Sequence, residues 1–170
     1  MKVTFPAKLW QRNLLACLVV IAALAVLAWT QDYSRWSAYL SSETPAQVVA
    51  AGDSGTVDGH TWRIEAVQHL NALPGRSVQK LPEGTVLQTI TVEHSGPELS
   101  TGCKGVITDG HDRWDAEGVG GVIPRTPDDV STVCSGAPST LFSFVLPRDV
   151  VPTALDILDS NGGIMVRLEL

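Results

Sequence analysis

From Leu14 to Trp29 the chain carries no polar side chain: Leu-Leu-Ala-Cys-Leu-Val-Val-Ile-Ala-Ala-Leu-Ala-Val-Leu-Ala-Trp. A helix rises about 1.5 Å per residue, so Trp10 to Trp29 matches the ~30 Å hydrocarbon thickness of a bilayer. Trp10 on one side, and Trp29, Tyr33 and Trp36 on the other, stand where interfacial anchors are expected. Lys2, Lys8 and Arg12 precede the run, whereas Asp32, Arg35 and Glu43 follow it. The positive-inside bias then predicts a cytoplasmic N-terminus and a C-terminal domain outside the cytoplasm, with the lipid bilayer as the first partner.

The rival is a cleaved signal peptide, with its small-residue site at Val26-Leu27-Ala28. The apolar run is long for that role, and Trp29 after the cut is bulky, so the uncleaved anchor is preferred. Leu14-Leu15-Ala16-Cys17 has the look of a lipobox, but its hydrophobic run follows the cysteine instead of preceding it. Cys17 reads as a small apolar helix residue.

Residues Ser41 to Ser54 lack a long period and read as a stalk, with a short helix begun at Thr44-Pro45. Beyond Gly55 the pattern turns to short strands and tight turns. His60, Trp62, Ile64 and Ala66 alternate with Thr61, Arg63 and Glu65, after an Asp58-Gly59 turn. Val86, Gln88, Ile90 and Val92 alternate against Leu87, Thr89 and Thr91. Val106 to His111 contains a second Asp-Gly turn, leading to Arg113-Trp114. Leu141 to Leu146, Leu155 to Leu158 and Ile164 to Leu168 complete about seven short strands, which predicts an all-β sandwich. The expected plan is a basic cytoplasmic tail (1–13), a transmembrane helix (14–30), a stalk (31–54) and an extracytoplasmic β-sandwich (55–170).

Cys103 and Cys134 are the cysteines of the exposed part, and in an oxidising compartment two such thiols pair. The net charge is -6 with three cations spent before the anchor, so the exposed part is acidic. That argues against nucleic acid, which needs a basic face.

No catalytic signature emerges, and the chain is read as a non-enzyme without a cofactor. Ser54-Gly55 and Ser135-Gly136 make no nucleophile elbow, and Gly118-Val119-Gly120-Gly121 is followed by no helix pattern to cradle phosphate. His60, His69, His94 and His111 show no metal-ligand spacing, and no metal site is expected. Asp109, Asp112, Asp115 and Glu117 crowd one hairpin without the spacing of a calcium loop. His111 and Asp112 are the candidate ligand-binding residues.

The anchor, the stalk, Cys103 before Asp109-Gly110, Cys134, and the strand Phe142-Ser143-Phe144-Val145-Leu146-Pro147 ahead of Val151-Pro152 resemble small exported proteins of actinobacteria. Their outer domain is an immunoglobulin-type, telokin-like sandwich. The resemblance implies an envelope location and a binding or accessory role toward another envelope protein, and it carries over no catalytic residue. The alternative is an envelope receptor or enzyme that binds a ligand or metal through the acidic hairpin around Asp109.

Overall fold

The computed structural model describes residues 7–71, 80–97, 102–118, 130–134 and 138–170. Residues 1–6, most of the glycine-rich stretch (Val119, Gly120 and Gly121) and Ser135-Gly136 lie outside the described residues. The chain divides into two units, Met1–Leu40 and Ser41–Leu170.

Helix α1 runs Ala7–Glu43, about 55 Å at the usual rise, well past the 14–30 span expected from composition alone. Nothing between Trp29 and Glu43 breaks a helix. Thr30 and Ser37 satisfy their hydroxyls on the carbonyls of Leu27 and Ser34, one turn back. The stop comes at Thr44-Pro45, since the residue before a proline is pushed out of helical conformation. Thr44-Pro45 therefore ends a helix, where the sequence suggested it began one. Among the described residues α1 is the one helix long and apolar enough to cross a membrane, with a mean hydropathy of 2.4 over its most apolar stretch. Trp10, Trp29, Tyr33 and Trp36 are all exposed on it.

The second unit is a β-sandwich of ten strands among the described residues. One sheet contains β1 (Val48–Val49), β5 (Lys104–Thr108), β6 (Arg113–Asp115), β9 (Ala154–Leu158) and β10 (Ile164–Glu169), in the order β1-β10-β9-β5-β6. The other contains β2 (Ser54–Val57), β3 (His60–Leu70), β4 (Thr85–Ser95), β7 (Val130–Ser131) and β8 (Ser139–Pro147), in the order β2-β3-β4-β8-β7. The segment expected as a stalk thus already contributes β1 and the start of β2. β1 pairs parallel with β10, Val48 opposite Arg167. A two-residue strand leaves no period to detect.

The core lies between the sheets. Ile107, Leu155, Ile157, Val166 and Leu168 of the first sheet meet Trp62, Ile90, Val92, Phe142, Phe144 and Leu146 of the second. Each fully buried aliphatic or aromatic side chain contributes about 1.5–3 kcal/mol relative to exposure. The two sheets approach closely where Gly105 of β5 faces Phe142: a Cβ built on Gly105 would lie 2.6 Å from the phenyl ring.

Two sequence patterns are modified by local geometry. Asp58 and Gly59 both have positive φ, 50° and 81°, as a two-residue type I′ hairpin turn requires, so β2–β3 forms as expected. The register of β3 against β4 then shifts between Ile64 and Ala66, leaving Glu65 as an extra residue. After this bulge Val67, not Ala66, takes up the side of the sheet shared with Ile90. On β4 the alternation is masked because Leu87 and Thr89 are as buried as Gln88 and Ile90.

Candidate ligand-binding cleft

The β5–β6 connection is built from Asp109 outward. Its Oδ1 accepts the backbone N–H groups of His111 and Asp112, each at 2.8 Å. Thr108 Oγ1 donates to the Asp112 carbonyl at 2.8 Å and accepts the Gly110 N–H at 3.0 Å. Gly110 alone in this turn has positive φ, 98°. The second Asp-Gly pair is therefore an Asx-type turn of four residues and not a copy of the first hairpin. The two donated N–H groups, that of Asp112 foremost, hold the Asp109 carboxyl below the ordinary carboxylate range.

Beside this turn a carboxylate is buried on the outer face of the first sheet. Asp156 of β9 has no exposed surface. Arg167, directly opposite on β10, donates from Nε to Oδ1 at 2.6 Å and from Nη2 to Oδ2 at 2.8 Å. Arg113 of β6 adds Nη2 to Oδ2 at 3.2 Å, and its Nη1 donates to the carbonyl of Ser42 at 3.1 Å. Ser42 lies in the final turn of α1, and a guanidinium suits the C-terminal end of a helix. The hydrogen bond to Asp156 holds the Arg167 guanidinium above its ordinary value, against the opposing effect of burial, with Glu43 adding to the rise. Two cations share one buried anion, and both arginine side chains keep about a third of their surface exposed, 34% and 30%.

That exposed third lines a cleft of about 360 Å³. Arg113 and Arg167 share its lining with Glu43, Glu169, His111, Thr108 and Thr153. Thr153 is held on β5 by its N–H, 2.8 Å from the Thr108 carbonyl. Of the two residues singled out from the sequence, His111 borders the cleft and Asp112 does not. Asp112 instead closes the turn through its backbone. Arg113, Arg167, Glu43 and Glu169 carry no motif. The available signal was Asp156, an acid set between Leu155 and Ile157 in an apolar strand, where a carboxylate needs a buried cation.

The remaining sequence-derived residues fall elsewhere. Cys103 and Cys134 are disulfide-bonded, with Cα atoms 5.3 Å apart. The bond joins the residue preceding β5 in one sheet to the segment following β7 in the other. Trp62 is a core residue, 1% exposed. It is flanked by the rings of His60 and His94, whose centroids lie 6.2 and 5.3 Å from its own. His60 Nδ1 and His94 Nε2 are buried with no hydrogen-bond partner among the described residues. His60 belongs to one sheet and His111 to the turn of the other, and the described residues contain no cluster of three or more metal-ligating side chains.

No protein-family model matches the chain, and no curated protein matches it. Two solved structures are similar in part. One is an uncharacterised β-sandwich protein of Clostridium difficile 630, 11% identical, with 75% of this chain and 95% of that chain covered and a TM-score of 0.38. The other is a candidate lipoprotein of Bacillus subtilis strain 168, 8% identical, with 68% and 38% covered and a TM-score of 0.40.

Proposed function

We propose that the protein is a single-pass, membrane-anchored binding or accessory module. Its N-terminus is cytoplasmic, its sandwich extracytoplasmic, and its partner another envelope protein. The observation that carries this reading is α1: a continuous helix, apolar from Leu14 to Trp29, preceded by Lys8 and Arg12 and joined to a disulfide-bonded sandwich. A disulfide suits an oxidising compartment, which agrees with the orientation on independent grounds. The finer likeness to actinobacterial exported proteins with an immunoglobulin-type, telokin-like outer domain belongs to the same reading. The link between the two sheets through Cys103–Cys134 supports it. A sandwich of this kind presents loops and edge strands to partners.

The test is crosslinking in intact membranes followed by affinity purification of the full chain. A specific envelope protein, recovered in several detergents and lost when the sandwich is removed, is the expected outcome. Recovery of no specific partner under any of these conditions would count against the reading.

A second reading, an envelope receptor for a small ligand, is favoured by one observation: the cleft beside the Asp109 turn, with two fixed guanidinium groups in its lining.

A further inference from the structure

We propose that the cleft beside the β5–β6 turn binds a small zwitterion of amino-acid size, its carboxylate on Arg113 and Arg167 and its ammonium on Glu43 and Glu169. The proposal rests on the receptor reading of the cleft and specifies its ligand.

Three observations carry it. First, the guanidinium groups are preorganised. Asp156 is wholly buried and takes the Nε–Nη2 edge of Arg167 and one Nη2 proton of Arg113. Arg167 Nη1 and Arg113 Nε remain beyond these bonds, on side chains that keep about a third of their surface exposed. Planar, fixed N–H forks of this type suit a carboxylate, and their ordering is complete before a ligand arrives.

Second, the opposite charge is present but held apart. Glu43 and Glu169 line the same cleft. Among the described residues neither closes an ion pair with Arg113 or Arg167; the arginines' ion-pair partner is Asp156. Glu43 acts on Arg167 only through space. A purely anionic ligand at the arginines meets two carboxylates, and a purely cationic one meets two guanidinium groups. A ligand bearing both charges meets neither penalty.

Third, the size fits. About 360 Å³ lies at the lower end of the range for small-molecule pockets. Thr153 and His111 place polar side chains at its border, and Thr108 and Ala154 complete the lining.

The experiment uses the ¹⁵N-labelled full chain in detergent micelles and three probes: L-alanine, acetate and methylammonium. The amide signals of Thr108 and Gly110 report on the cleft. L-Alanine is expected to shift them saturably, with acetate and methylammonium each at least about tenfold weaker. Glu169→Gln, at an exposed strand end, is expected to weaken L-alanine about tenfold while strengthening any acetate response, because one of the two carboxylates that an anion meets is gone. If acetate or methylammonium alone matches L-alanine, the receptor reading survives and the zwitterion falls. L-Alanine binding that is indifferent to Glu169→Gln also overturns the zwitterion. If none of the three probes moves the cleft amides, both the zwitterion and the receptor reading fall.

Discussion

Arg167 holds both oxygens of Asp156, at 2.6 and 2.8 Å, from the neighbouring strand of the same sheet. Asp156 is fully buried while Arg167 keeps 30% of its side chain exposed, so the two partners differ in what their loss exposes. Arg167→Met leaves a buried carboxylate with Arg113 alone. It should lower unfolding free energy by about 2–4 kcal/mol, somewhat less than a fully buried pair would lose, because Arg167 is partly solvated. Asp156→Leu combined with Arg167→Met should recover most of that loss. Urea unfolding of the two variants beside the parent chain measures both, and a double variant no more stable than Arg167→Met alone would contradict the assignment.

The Cys103–Cys134 bond closes a separation of 31 residues between the sheets. In the chain-entropy model it stabilises by roughly 3–4 kcal/mol. Reduction should lower the unfolding midpoint accordingly. Non-reduced peptide mapping should return the two cysteines in one linked peptide, and free thiols at both positions would remove the pairing.

Gly105 has no room for a side chain. Gly105→Ala places a methyl 2.6 Å from the Phe142 ring, inside the inter-sheet core. A loss of about 1–3 kcal/mol is expected from overpacking, and Phe142→Leu in the same chain should return part of it. Thermal or urea melts of the single and double variants decide this, since a purely additive loss would mean that the two residues do not meet.

His94, packed beside Trp62, gives the sandwich a pH dependence. Burial first, and the neighbouring His60 second, lower the pKa of His94 in the folded state. The unfolded chain then takes up a proton at about pH 6.5 while the folded chain does not. Stability is complete above that pH and falls as the pH drops through the window below it, down to the lowered folded value. His94→Gln, which does not titrate, should show a shallower decline between pH 7.5 and pH 5.5. Equal slopes for the parent and the variant would refute the role of His94.

Parts of this architecture are legible in the sequence because one residue pair decides them. Asp58-Gly59 specifies its turn, as both positions accept positive φ and two strands flank it. The same dipeptide at Asp109-Gly110 also marks a hairpin, since β5 and β6 pair antiparallel, but the Asp109 side chain captures two backbone N–H groups and makes the turn longer. The register beyond Glu65 is hidden because a bulge leaves no mark in an alternating pattern. The far end of α1 is hidden because membrane-like composition stops near Thr30, while helix-compatible residues continue to Glu43. The cleft was least legible. His111 drew notice through its turn, but Arg113 and Arg167 reach Asp156 from 43 and 11 residues away, pairings that only the sheet order creates.

The anchor itself is tested most directly by the mass of the protein recovered from alkali-washed membranes. A retained helix should give a chain that still contains residues 1–28, with Cys103 and Cys134 oxidised. A chain that begins at Trp29, recovered in the soluble fraction, would show a cleaved signal segment and contradict membrane anchorage.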